Sequence, residues 1–152
     1  LFKRREALPV GLNLKNKFIY YVGPVDAVRN EVIGPAGPTT ASRMDQFMEM
    51  MLAELGIMGT IGKAERGESA VQTIKKYQSV YLSAVGGAAY LVSKAITSSK
   101  VVAFPELGME AIYEFEVKDM PVMVSIDTQG KSIYSEAPSR WKNKSIPLKA
   151  SS

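Results

Sequence analysis

Apolar and polar positions along this chain switch between two periods, and the switches mark its elements. β-branched and aromatic residues crowd 17–24, KFIYYVGP, and a closing Gly-Pro predicts a strand that ends in a turn. From Arg43 the apolar positions Met44, Phe47, Met48, Met51, Leu52 and Leu55 recur at helical spacing. They form one face of a helix over 43–55, stopped by Gly56. IMGTIGK, 57–63, is short, β-branched and glycine-punctuated, hence a strand or strand end. ESAVQTIKKY, 68–77, predicts a second amphipathic helix, and SVYLSAV, 79–85, a buried strand. A third helix, 86–96, starts from a diglycine, and KVVAF, 100–104, is a strand. PELGMEAIY, 105–113, reads as a short helix with proline in its first turn. YEFEVKD and MPVMVSID, within 113–127, are two more strands, and TQG turns into KSIYSE, 131–136, as a hairpin.

Strands alternate with helices over the first two thirds of the chain and a meander follows. This order predicts an α/β domain with a partly parallel central sheet flanked by helices and a C-terminal β-meander. The 152 residues fit a single domain, 1–152, with the polar stretch 142–152 as a loose tail. The chain shows no internal repeat and no low-complexity tract.

Composition narrows the chemistry. With 46% hydrophobic and 22% charged residues, the balance is that of an ordinary soluble domain. No apolar run approaches the ~20 residues that span a bilayer. The opening LFKRREALPVGL has neither the apolar segment nor the cleavage site of a signal peptide. No membrane partner is expected, and a cytoplasmic location is. Because the chain opens on Leu and reaches Pro within ten residues, we expect a domain of a longer polypeptide. Cysteine and histidine are both absent, which removes disulfides, thiolate and imidazole metal ligands, cysteine nucleophiles and imidazole bases. A metal would have to be held mainly by another chain or domain. The net charge of +4 is mild, and basic residues cluster only at the ends, KRR at 3–5 and RWKNK at 140–144. That spread argues against a nucleic-acid partner and suits a small anion better.

The most constrained stretch is GPAGPTTASRMD, 34–45, placed directly before the methionine-rich helix. A helix N-terminus offers unpaired N–H groups and the positive end of a dipole, so this approach predicts an anion seat. In it Gly37 permits close backbone approach, Thr39 and Thr40 supply hydroxyls, and Arg43 stands about one turn in. An α-helical first turn near Thr39 would project Thr39 and Arg43 to one side. A guanidinium can grip a carboxylate through two parallel hydrogen bonds. The alternative is that a threonine simply caps the helix and Arg43 is a solvated surface residue. Lys63, in GTIGKAERG, follows a glycine at a predicted strand end, where parallel sheets present ligand-binding groups; its alternative is a plain surface lysine.

GTIGK lacks the spacing of a phosphate-binding P-loop, and AVGGAAY lacks a dinucleotide fingerprint. The methionines of 43–55 read as core. Glu110 and Asp119 could act as acids or bases, but spacing gives them no partner and they read as structural. Asp127 reads as a turn residue.

FIYYVGPVDAVRNEVIGPAGPTTASRMDQF, GTIGKAERG, YLSAVGGAAYLV and VVAFPELGMEAIYEFEVKDMPVMVSIDTQG together resemble the C-terminal domain of class I fumarases and the β subunit of tartrate dehydratases. The resemblance runs from about Leu8 to Trp141, and the single-chain fumarase branch is the better match. It implies a swivelling β/β/α-type domain and a reversible hydration of fumarate to L-malate. It also implies a four-iron, four-sulfur cluster bound by cysteines of an N-terminal domain outside this chain, with the dicarboxylate between the two domains and a homodimeric full enzyme. The family motif PTT-x-x-R falls on Thr39, Thr40 and Arg43, and its GK lysine on Lys63. By that match Thr39 is the acid/base group, while Thr40, Arg43 and Lys63 bind substrate, and Gly37 of the approach is counted with them. A further substrate arginine of the family lies upstream of the segment matching LFKRREALPV, so the site within this chain is incomplete. Two other readings stay open: a free-standing dicarboxylate or phosphate sensor, and a dimerisation and lid module.

Overall fold

The computed structural model describes residues 9, 11–27, 30–85, 87 and 89–142. Apart from Lys142, the expected tail at 142–152 lies outside them, as do Gly86 and Ala88 at the expected start of the third helix.

The aromatic and β-branched run at 17–24 does form extended chain, but it divides. β1 (Phe18–Tyr20) enters the central sheet and β2 (Val22–Pro24) enters another, with Tyr21 between them. β2 pairs antiparallel with β3 (Ala36–Pro38), so the glycine- and proline-rich approach is itself half of a small ribbon. The predicted helix over 43–55 is composite. Ala41–Phe47 winds as a 3₁₀ segment, and only Met48–Ala53, α1, is α-helical. Its apolar face packs as expected, with Met48, Met51 and Leu52 buried. Gly56 ends it in a left-handed conformation.

β4 (Gly59–Gly62), α2 (Glu68–Lys76) and β5 (Val80–Ala84) follow the predicted order and form a β-α-β unit. The central sheet runs β1-β4-β5-β8, with the first three strands parallel and β8 (Val122–Ile126) antiparallel to β5. Strand alternation sorts its side chains onto two faces. Tyr81 meets Ala41, Met48, Met51, Ile74 and Ile126 in the larger core. Ile61 and Ala84 meet Val92 of α3 (Ala89–Ala95) in a smaller one. α1 and α2 thus cover one face and α3 contributes to the other.

Four segments depart from their expected forms. β6 (Ile96–Ala103) starts directly after α3, because polar ITSSK is strand rather than connection. Among the described residues it pairs only with β7 (Ile112–Val117), as a two-stranded ribbon. Residues 105–110 form 3₁₀ turns interrupted at Gly108, not a regular helix, and Tyr113 belongs to β7. The C-terminal strands are antiparallel, but β8 crosses to β5 instead of continuing a meander from β7. The expected 131–136 hairpin is reduced to one Ile126–Ser132 bridge, after which the chain turns into α4 (Ile133–Lys142).

Candidate functional site

The carboxyl ends of parallel strands are where an α/β sheet presents functional groups, and here β1 and β4 end beside the PTT loop. The Tyr21 amide donates to the Ile61 carbonyl at 2.8 Å, extending β1 along β4. The Tyr21 carbonyl accepts from the Thr39 amide at 2.8 Å. The Lys63 amide then donates to the Thr39 carbonyl at 3.0 Å, and the Ala41 amide to the Lys63 carbonyl at 3.2 Å. Thr40 and Lys63 form an isolated parallel bridge. Two motifs distant in sequence are therefore laced together by backbone alone.

This lacing needs a missing side chain. A Cβ on Gly62 would lie 2.9 Å from the Ala41 Cβ and 3.3 Å from the Thr39 carbonyl oxygen. Gly37 serves another contact: its own added Cβ would sit 3.3 Å from the Ala89 Cβ, so its close approach is to α3.

The candidate side chains share this edge with different exposure. Thr39 and Thr40 are half-buried, whereas Arg43 and Lys63 are exposed. Thr40 is the residue before the 3₁₀ segment, yet its hydroxyl makes no capping hydrogen bond. Simple capping therefore does not explain the threonine pair. The anion seat also differs from expectation, because the Thr39 and Ala41 amides are committed to Tyr21 and Lys63. A 3₁₀ turn aligns residues three apart, which associates Arg43 with Thr40 rather than with Thr39. What the edge offers is therefore chiefly side chains: two exposed cations and two half-buried hydroxyls.

Glu110 is exposed at the end of the 3₁₀ turns, and Asp119 is exposed in the β7–β8 connection with φ of 55°. Neither belongs to this edge. Asp127 is the turn residue it was read as, its Oδ1 accepting from the Gln129 and Lys131 amides at 2.9 Å each.

Sequence reasoning missed Arg66 and Asp45. Arg66 is 3% exposed. Its Nε donates to Asp45 Oδ1 at 2.6 Å and its Nη1 to Thr60 Oγ1 at 3.0 Å, while Nη2 faces the Met48 sulfur at 3.6 Å. The guanidinium carbon lies 5.7 Å from the Tyr21 ring centre and 5.1 Å from that of Tyr81. The second Asp45 oxygen accepts from the Gly67 amide at 2.7 Å. Burial pushes the Tyr21 phenol up to about 12, with Arg66's charge opposing the rise, and burial raises Tyr81 as well. Both phenols are neutral at physiological pH.

Among the described residues, no three His, Cys, Asp or Glu side chains converge as a metal site. No described helix is long and apolar enough to cross a membrane.

Comparison with known sequences bears directly on this edge. The profile of the family described as "Fumarase C-terminus" matches residues 1–137, which include all four candidate side chains. The chain belongs to the fumarase C-terminal family. The aerobic class I fumarate hydratase of Escherichia coli K12 is 37% identical over 124 residues, 81% of this chain and 23% of that protein. Fumarate hydratase 2 of Leishmania major is 36% identical over 129 residues, 84% of this chain and 23% of that protein. A putative L(+)-tartrate dehydratase β subunit of Methanocaldococcus jannaschii is 36% identical over 141 residues, 90% of this chain and 71% of that subunit. The chain thus spans about a quarter of the fumarate hydratases it resembles and most of the tartrate dehydratase subunit. In this member of the family, the mixed α/β fold places PTT-x-x-R and GK on one edge.

Proposed function

We propose that this chain is the C-terminal domain of a hydro-lyase that reversibly hydrates fumarate to L-malate, and that the PTT–GK edge is its part of the substrate site. The observation that carries the reading is the lacing of Thr39 to Lys63, which sets a hydroxyl and two exposed cations at the ends of β1 and β4. Loss of a proton from the carbon next to a carboxylate builds negative charge on that carboxylate. Arg43 and Lys63 are suited to stabilise it, the guanidinium through paired hydrogen bonds and the ammonium as a point charge. Thr39 would move the proton. Its hydroxyl alone is a weak base, so it needs a partner, which the family resemblance assigns to an aspartate outside this chain.

The four-iron, four-sulfur cluster implied by the resemblance does not fit this chain's own donors. Cysteine is absent, and the described residues hold no alternative ligand group. We assign the cluster to the cognate N-terminal domain, with the dicarboxylate bound between the domains, in a homodimeric cytoplasmic enzyme. The 71% coverage of a tartrate dehydratase β subunit supports a second reading, the same half-site acting on a hydroxylated dicarboxylate.

The deciding experiment is an anaerobic hydration assay on the full-length protein reconstituted with iron and sulfide. Wild type is compared with Thr39→Ala and Arg43→Ala on fumarate and on tartrate. Activity on fumarate that falls about a hundredfold or more in folded variants supports the reading. Near-normal turnover in both variants reduces the edge to a lid surface. Preference for tartrate favours the second reading.

A further inference from the structure

The two cations of the proposed site stand on different loops. Arg43 lies on the 3₁₀ segment Ala41–Phe47, and Lys63 opens the loop between β4 and α2. Both loops are open to solvent at these residues. Two separate carboxylate-binding groups are useful only if their spacing is fixed, since a shift of about 1 Å in a bound reactant can cost a hundredfold in rate.

Just behind each cation stands one member of a buried ion pair. Asp45 follows Arg43 on the 3₁₀ segment, and Arg66 follows Lys63 on the other loop. They meet at 2.6 Å, with the Arg66 side chain wholly buried and that of Asp45 14% exposed. The carboxylate uses its other oxygen on the Gly67 amide of the Lys63 loop, so Asp45 grips that loop twice. Arg66 is in turn bound to Thr60 in β4 and enclosed by the Tyr21 and Tyr81 rings.

The Lys63 loop also begins with strain. Ala64 adopts φ of 67°, a left-handed conformation uncommon for a residue other than glycine. Its carbonyl accepts from the Tyr81 hydroxyl at 2.9 Å. Strained backbone persists where its surroundings over-determine it, and here Tyr81, Arg66 and Asp45 all restrain the same short loop.

We infer that Arg66 and Asp45 are positioning residues that set the distance between Arg43 and Lys63 and thereby match the site to a dicarboxylate. This rests on the proposed roles of Arg43 and Lys63. Arg66 touches no substrate. It acts through Asp45 on one loop and through its own backbone on the other. Lysine cannot replace it, because a single ammonium lacks the planar fork that serves Asp45 and Thr60 together.

The test uses the full-length protein with Arg66→Lys, Asp45→Asn and the double variant, alongside Lys76→Ala, which removes an exposed ion pair to Glu49 elsewhere on the surface. For each, kcat and KM for fumarate are measured per folded molecule, and amide hydrogen exchange is followed at Ala41 and Lys63. We expect kcat/KM to fall roughly tenfold to a hundredfold in each single variant, the double variant to be no worse than the poorer single one, and Lys76→Ala to behave as wild type. Exchange at Ala41 and Lys63 should quicken in Asp45→Asn while Ile61 stays protected. Unchanged kcat and KM with only a lowered melting temperature would overturn the inference. If wild type itself fails to hydrate fumarate, the functional reading falls. The exchange data then decide the clamp separately: quickening at Ala41 and Lys63 retains it, and unchanged protection removes it.

Discussion

The amide of Lys63 and the carbonyl of Thr39 meet at 3.0 Å, joining the ends of two loops that are remote in sequence. Neither side chain is needed for this bond, so each can be altered without undoing the arrangement. Lys63→Met should leave the melting temperature within a degree or two of wild type, because the side chain is exposed. On its proposed substrate role, it should lower kcat/KM for the dicarboxylate by about a hundredfold in the full-length protein, since an electrostatic group aimed at developing charge would be lost. Steady-state kinetics beside a thermal melt checks both halves.

Gly62 predicts the opposite pattern. An alanine there would put its Cβ 2.9 Å from the Ala41 Cβ and press on the Thr39 carbonyl. Relief requires the 3₁₀ segment to move off β4, carrying Thr39 and Arg43 with it. Gly62→Ala should cost about 1–3 kcal/mol of stability by overpacking and reduce turnover at the same time. Chemical denaturation paired with the hydration assay measures both, and a variant as stable and as active as wild type would contradict the contact.

Stability should fall at alkaline pH. The folded Tyr21 phenol is raised to about 12 from 10.0, mainly by burial. The unfolded chain therefore releases this proton first as pH rises past 10, and the stability held by the neutral buried phenol is full below pH 10 and declines up to about pH 12. Its size is on the order of 2–3 kcal/mol. Burial also raises Tyr20 and Tyr81, which act in the same direction. Urea midpoints between pH 8 and pH 12 should show the decline, and Tyr21→Phe should make it shallower.

Removing Asp45 should be more damaging than removing a surface acid. Asp45→Ala leaves the Arg66 guanidinium buried without its counter-charge, at a cost of about 3–5 kcal/mol. Glu49→Ala breaks only exposed contacts, with Lys76 and with the Tyr77 hydroxyl, and should change stability by less than about 1 kcal/mol. Parallel denaturation of the two variants provides the contrast.

How far the sequence discloses all this depends on how local the cause is. α2 is legible because Ala70 and Ile74 lie on one face and its neighbours are polar. β6 is illegible at its start, because Thr97, Ser98 and Ser99 carry no apolar alternation; the pairing of Ile96, Ser98 and Ser99 with β7, across an irregularity at Thr97, makes this stretch strand. α4 is hidden by a β-prone Ile-Tyr pair and by Pro138 within it, and it follows an antiparallel bridge that resembles the onset of a hairpin. At the site, the Thr-Thr pair, Arg43 and Lys63 are visible as motifs, and Gly62 as the residue preceding the lysine. Arg66 is not visible. In GKAERG it reads as one more surface charge, and only the fold brings Asp45, Thr60 and two aromatic rings around it.

Tyr21 separates β1 from β2 with no intervening loop, its amide bound to the central sheet and its carbonyl to the Thr39 strand end. A single residue is thus the fulcrum between two sheets. Because there is no slack on either side, tilting the β2–β3 ribbon works as a lever on Thr39, and through its carbonyl on Lys63. Whatever leans on that ribbon from outside bears directly on Thr39, the residue proposed to move the proton.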